Sequence, residues 1–345
     1  MVGGQIINTP PHHNDSIGSR LLWVDLAKSF GLFLVFWGHT LYGGSQVADV
    51  INRAIYSFHM PMFFILSGYV TKPDSNTFWQ YVRKKFNRIV LPALILYVLA
   101  LPVFLLLFID TSNLSFYSFA IRFFYIKGEC LGNKPVWFFF CLFQIYILIR
   151  LLDLPNAKMG RLILVFAISL LLSFLFYISG VEYFKFLGFD KCVLGLFFFV
   201  FGMILKKTKY NNNIFRIGLI LLPIWVITGI FLNTKVRMYD MHLGVFWLFI
   251  VSGITGSLCF FSFSKVFEQF KSKMIVRNIM KYAKWTVFIV SSHYVLSSLF
   301  HLIFEQLLFL NTYIYDVTSL CFVFVALVLY FPICKWLEKH APIII

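Results

Sequence analysis

Residues 21–43 read LLWVDLAKSFGLFLVFWGHTLYG, an apolar run interrupted by Asp25, Lys28 and His39. A membrane-spanning helix needs about 20 predominantly apolar residues, and this run supplies them. Lys28 and His39 lie eleven positions apart. In a helix that is three full turns plus roughly 20°, and a climb of about 16.5 Å. Both side chains therefore share one face, one near each end of the helix. Asp25 falls close to the same stripe, one turn before Lys28. Ionisable groups inside a spanning helix are costly and usually face a bundle interior or a wet cavity. The stretch thus predicts a membrane helix and marks a candidate site on it.

The rest of the chain has the same character. Its 345 residues are 60% hydrophobic and only 13% charged, with 44 Phe and a mean hydropathy of +0.83. Soluble domains carry about 25% charged residues. The expected fold is therefore all-α, a polytopic membrane helix bundle of about ten transmembrane helices. The spans are placed at 21–43, 51–70, 89–109, 136–152, 162–180, 190–205, 214–232, 243–263, 285–304 and 315–334. Pro61, Pro92, Pro102, Pro223 and Pro332 fall inside them, where neighbouring helices can satisfy the freed carbonyls. Residues 1–20 are polar and contain Pro10 and Pro11. They read as a cytoplasmic flexible tail, not as a cleavable signal with a short apolar core. The membrane domain then covers 21–334, with a short cytoplasmic tail at 335–345.

The net charge of +16 has two readings, a polyanion groove or membrane topology. The basic residues sit in short loops between apolar runs, which favours topology and argues against nucleic acid as a partner. With the N-terminus inside, 21 Lys and Arg fall on the inner side and eight on the outer, with Lys28 in the first span. The positive-inside rule then places both termini in the cytoplasm. The eight outer cations are Arg53, Arg122, Lys127, Lys134, Lys185, Lys191, Lys235 and Arg237. No internal repeat is visible, which counts against a transporter of repeated halves. The six cysteines form no CxxC pair and read as buried inert thiols, giving neither a disulfide framework nor a metal site.

In this topology His39 lies near the outer end of the first helix. His59 occupies the outer half of the second, so the two imidazoles share a depth on sequential helices. A neutral imidazole in a dry site is a plausible general base for a hydroxyl. The alternative is a histidine that only bonds a neighbouring helix, but the company of Lys28 and Asp25 favours function for His39. Asp25 and Lys28 are an i,i+3 pair that can neutralise each other. Asp25 is about 21 Å of helix rise from His39, too far to orient its ring, so His59 is the supporting residue of choice. The loop KPDSNTFWQYVRKKFNRIVLP (72–92) brings Arg83, Lys84, Lys85 and Arg88 together. Four cations in six residues suit the phosphates of a cytosolic donor, or anionic lipid at a positive-inside anchor.

Several other signals carry less. His12-His13-Asn14-Asp15 is a poor match to an HHxxxD motif, because its Asp is too close. Trp137 suits an interfacial anchor or a sugar-stacking platform at the outer mouth. His293 reads as a bundle hydrogen bond or an acceptor contact, Gln144 as interhelical glue, and Asp240 and Glu305 as solvated helix edges.

Taken together, WVDLAKSFGLFLVFWGH, FHMPMFFILSGY, RKKFNRIVLP and PVWFFFCLFQIYIL resemble the acyltransferase-3 family of membrane acyltransferases, nearest its fucose 4-O-acetylase-like branch. The likeness is dense over 20–92, returns at 135–148 and is faint beyond, apart from WTVFIVSSHYVL near His293. The family signature in the first helix is a basic residue, ten positions, then His, matched by Lys28 and His39. The resemblance implies that His39 is catalytic and that Lys28 helps hold the donor. The inner-loop pattern maps onto Lys84, Lys85, Arg88 and Pro92, and the Ser-Gly pair of the second helix onto Ser67-Gly68. Where many members have an acidic residue upstream of that pair, this chain has His59-Met60-Pro61, so no carboxylate is visible to orient His39. The donor implied is acyl-CoA, usually acetyl-CoA, as a co-substrate without a permanently bound cofactor. The acceptor implied is a sugar hydroxyl of a cell-surface polysaccharide or its precursor. The membrane implied is the bacterial cytoplasmic (inner) membrane. Direct attack with His39 as base and an acetyl-His relay both fit. Two other classes, a transporter or flippase of glycan or acyl units and a non-catalytic sensing domain, also use intramembrane charges.

Overall fold

The computed structural model describes residues 21–41, 45–110, 112, 114–180, 182–208 and 217–344. The expected N-terminal tail, with its His12-His13-Asn14-Asp15 run, and the start of the seventh expected span lie outside them. The described chain is helical: α1 (Leu22–Thr40), α2 (Gln46–Val70), α3 (Phe78–Lys85), α4 (Leu91–Leu107), α5 (Phe116–Phe123), α6 (Trp137–Leu151), α7 (Met159–Ser179) and α8 (Phe189–Lys207). There follow α9 (Leu222–Trp225, extended by a wide turn over Val226–Phe231), α10 (Phe246–Phe267), α11 (Met274–Lys281), α12 (Thr286–Leu310) and α13 (Thr312–His340).

Among the described residues, seven helical stretches are long and apolar enough to cross a membrane: Phe78–Leu107, Lys134–Leu151, Met159–Ser179, Lys185–Lys207, Phe246–Phe270, Met274–Glu305 and Thr312–His340. The protein is therefore an integral membrane protein. These seven match seven of the ten expected spans. The other three expectations fall on α1, α2 and the shorter apolar helix Leu222–Phe231. α1 and α2 carry the intramembrane polar residues, and those residues dilute their hydropathy. The last helix runs to His340, past the boundary at 334 expected from hydropathy.

α1 and α2 occupy the middle of the bundle. α2 packs on α8, α10 and α1, while α1 also packs on α12, α13 and α11. The tightest approach is between α2 and α8. A Cβ at Gly68 would stand 1.8 Å from the carbonyl oxygen of Phe199, and one at Gly202 would stand 2.0 Å from that of Ile65. Two glycines facing each other's backbones let these helices pack closer than side chains permit, as small residues do at membrane helix interfaces. The glycine after Ser67 thus has a packing reason to be there.

α3 and α4 are joined by a π turn over Phe86–Val90. It precedes Pro92, which has no N–H to give the helix, and π turns absorb one extra residue without ending a helix. The turn re-aims Asn87 and Arg88 relative to the α3 cations. All six cysteines are free, and only Cys321 is exposed.

Candidate active site

Two cavities lie along α1, one at each end of its polar stripe. The first, about 550 Å³, is lined by His39, Tyr56, His59, Trp137, Tyr294 and His301 among others. The second, about 460 Å³, is lined by Lys28, Ser67, Asn87, Arg88, Tyr146 and Lys284 among others. Phe63, Phe138 and Thr286 line both. The rings of Phe63 and Phe138 stand 5.9 Å apart, so an aromatic septum separates two chambers of ligand-binding size.

His39 sits in the last turn of α1. Its Nδ1 is 3.4 Å from the Tyr56 hydroxyl, which is 3.2 Å from the carbonyl of Gly38. One arrangement of protons satisfies both contacts: Tyr56 donates to Gly38, and the Nδ1–H of His39 donates to the Tyr56 oxygen. Nε2 of His39 is then left with its lone pair, which is what a general base requires. The backbone is fixed as well. Nε2 of His301 lies 3.0 Å from the carbonyl of His39. A carbonyl can only accept, so this nitrogen carries the proton and Nδ1 of His301 accepts from Tyr315. Thr40 is tied to Ser297 at 3.0 Å, and Asn52 donates to the carbonyl of Leu41 at 2.7 Å.

The neighbouring histidines follow the same logic. His59 donates Nδ1–H to the carbonyl of Ile55 (2.9 Å), and His293 donates to that of Ile289 (3.0 Å). Both rings are almost fully buried. The His293 ring is centred 5.2 Å from that of His39, and its Nε2 has no hydrogen-bond partner among the described residues. The sequence offered His59 as the partner of His39; the structure puts Tyr56 against His39, with the Tyr56 and His59 rings 5.0 Å apart. Among the described residues, no Asp or Glu lines this cavity. Among the described residues, no three His, Cys, Asp or Glu side chains form a group that could hold a metal ion.

At the other end, only part of the expected cation cluster faces the cavity. Lys28 and Arg88 line it, joined by Lys284. Lys84 instead bonds Asp74 at 2.9 Å, and Lys85 lies 3.6 Å over the Tyr146 ring. Arg83 is exposed on α3 and is not part of the cavity wall. Asp74 also accepts from the N–H and side chain of Asn76, and Arg150 donates to the carbonyl of Asp74 at 3.0 Å. The bond from Lys84 holds the Asp74 carboxyl down at about 2, below its ordinary value of 3.8. This loop is a structural knot beside the cavity. Asp25 is buried in α1 and does not line either cavity. Trp137 is 5% exposed and forms part of the His39 cavity wall.

A family model described as an acyltransferase domain matches residues 21–338. The chain belongs to the acyltransferase-3 family. No curated protein and no solved structure matches it. Membership makes the protein a membrane O-acyltransferase, with an acyl donor and an acceptor implied.

For an acyltransferase-3 protein, the informative result is which residues join the site beyond those the sequence singled out. Tyr294, Ser297, Ser298 and His301 all line the His39 cavity from α12. Their spacing of three, one and three is a helical stripe, legible in principle but masked by His293 one position away. Lys284 is one of the 21 inner-side cations and carries no further sequence signal of a site role. Lys134, Lys235, Arg237 and Tyr239 come from loops, and loops have no periodicity to reveal which way they point.

Proposed function

We propose that this acyltransferase moves an acetyl group from acetyl-CoA to a sugar hydroxyl, with the donor entering at Lys28 and Arg88 and the acceptor at His39. The observation that carries the reading is the pair of cavities meeting at Phe63, Phe138 and Thr286. Lys28 and His39 are about 16.5 Å apart in helix rise, the reach of about five extended residues. A pantetheine arm has that length. The donor phosphates lie against Arg88, Lys284 and Lys28, and the thioester passes the septum towards His39. The positive-inside split puts this donor end in the cytoplasm, where acyl-CoA is made. Acetylation of a cell-surface polysaccharide or its precursor, as in the fucose-acetylase-like branch, fits this placement.

His39 then acts as the general base. Nε2 takes the proton of the acceptor hydroxyl as its oxygen attacks the thioester carbonyl. The carbon–sulfur bond breaks, the sulfur leaves with the bonding pair, and the imidazolium returns the proton to that thiolate. Tyr56 and His301 hold the ring and its backbone in place while this happens. A transporter also uses cavities from both ends, but the family assignment favours transfer. The test is acetyl transfer and acetyl-CoA hydrolysis by the purified protein and by His39→Ala. The variant should keep its elution profile and its CoA affinity and lose both activities. Near-normal activity in the variant would refute the role of His39, and substrate flux without acetyl-CoA would point to transport.

A further inference from the structure

The mouth of the His39 cavity is cationic. Lys134, Lys235 and Arg237 all line it, and among the described residues no carboxylate does. The loops assigned by sequence to this end hold only eight of the chain's 30 Lys and Arg. Three of those eight are paired away from the cavity: Arg53 with Asp49, Arg122 with Glu129 and Lys191 with Asp190. Three more converge on one chamber. Lys134 and Lys235 have no ion-pair partner among the described residues, and Lys134 lies 5.3 Å over the Tyr239 ring. Arg237 shares Asp240 at 3.2 Å yet keeps a side chain that is 47% exposed.

Both loops that carry these cations are pinned. Arg237 and His242 form a two-hydrogen-bond bridge (2.7 and 3.0 Å). Asn233 accepts from the N–H of Val245 at 2.8 Å and donates to the carbonyl of Leu243 at 3.1 Å. Tyr177 donates to the carbonyl of Gly244 at 2.6 Å. On the other side, buried Asn133 donates to the carbonyl of Ser291 at 2.7 Å, immediately before Lys134. Asp240 engages Arg237, and Asp49, already paired with Arg53, attracts Lys235; the three charges are only partly offset, so an incoming anion is still favoured. The Arg88 and Lys284 cavity lies beyond the septum, so the donor phosphates do not supply that anion.

We infer that the acceptor is an acidic saccharide, whose carboxylate or phosphate is held by Lys134, Lys235 and Arg237 while its hydroxyl meets His39. The aromatic walls complete such a site. Trp137, Tyr239 and Tyr294 line the same chamber, and aromatic faces offer amphipathic packing to a sugar ring. The proposal rests on reading the His39 chamber as the acceptor side.

The test compares octyl β-D-glucuronide with octyl β-D-glucoside, which differ only at the carboxylate, by binding to the full-length protein in phosphatidylcholine nanodiscs. Exposed charge contacts are individually weak, so three together give a preference of about tenfold for the glucuronide at low salt. That preference should shrink as salt rises and disappear in Lys134→Gln/Lys235→Gln/Arg237→Gln, while CoA affinity stays unchanged. The single variant Lys235→Gln should lose part of it and guards against misfolding of the triple variant. Equal binding of the two glycosides would overturn the proposal, as would a fall in CoA affinity in the triple variant. Replacing part of the lipid with phosphatidylglycerol separates the remaining source of anion. Competition that abolishes glucuronide binding would make this a lipid-headgroup site and refute the saccharide assignment. A glucuronide preference that persists in a protein with no acetyl transfer would sustain this site and refute the catalytic reading instead.

Discussion

Replacing Tyr56 by Phe keeps the ring and removes one hydroxyl, which is within hydrogen-bond distance of the His39 imidazole. Both contacts of that hydroxyl are long, 3.4 Å to His39 and 3.2 Å to Gly38. The loss therefore belongs in the lower-to-middle part of the usual net value of about 0.5–1.5 kcal/mol for a neutral hydrogen bond. The backbone of His39 stays anchored through His301 at 3.0 Å. About 1 kcal/mol of lost orientation corresponds to a roughly fivefold fall in kcat. KM for acetyl-CoA should not move, because Tyr56 lines only the His39 chamber. The assay is CoA release by the purified protein, followed by thiol titration at saturating donor and acceptor. An unchanged kcat would show that Tyr56 does not hold the ring. A loss as deep as that of His39→Ala would show that the phenol takes part in proton transfer itself. Either result refutes the orientation argument.

Three further outcomes follow from the packing. Gly202→Ala places a methyl 2.0 Å from the Ile65 carbonyl oxygen; forced overpacking of this kind costs about 1–3 kcal/mol and should lower the thermal midpoint in detergent, with a smaller yield of folded protein. Phe138→Ala removes one side of the septum while sparing every charged residue, so acceptor-independent acetyl-CoA hydrolysis should rise several-fold as water passes between chambers, read as CoA release without acceptor. Asp74→Asn removes a carboxylate whose folded-state value is depressed to about 2; such a group contributes stability above its unfolded value, and the contribution is lost as pH falls through the folded one. The thermal midpoint of the wild type should therefore exceed that of the variant above about pH 4 and converge on it towards pH 2.

Much of this site was legible because a helix converts spacing into direction. Lys28 and His39, eleven apart on one face, line one chamber each, and His59 lines that of His39. Spacing says nothing of what a side chain finds on arrival. Lys84 and Lys85 belong to the same basic run as Arg88, yet Asp74 and Tyr146 engage them. The reason lies in the π turn at Phe86–Val90, which breaks the angular relation between α3 and the residues after it. Trp137 had two sequence readings, and its place in the chamber wall follows from the short turn at Lys134–Val136, pinned through Asn133 to α12. Long-range contacts of that kind leave no local pattern to read.

The polar load of α1 and the architecture around it are one problem with one solution. A helix bearing Asp25, Lys28 and His39 is expensive against lipid, and α1 and α2 are absent from the seven stretches suited to crossing a bilayer on their own. Both are enclosed by more apolar helices, with α8 drawn onto α2 at Gly68 and Gly202 until the backbones touch. That enclosure buries the polar groups inside the bundle, although the Ser29 hydroxyl, the Trp37 indole N–H and the Asn52 side-chain oxygen have no hydrogen-bond partner among the described residues. It also strengthens hydrogen bonds and charges in the chambers, because a protein interior screens them less than water. The apolar septum of Phe63, Phe138 and Thr286 does the same for the space between. The arrangement that buries α1 is therefore also the one that places the His39 imidazole, with Tyr56 against its ring and His301 against its backbone, in the wall of an interior chamber.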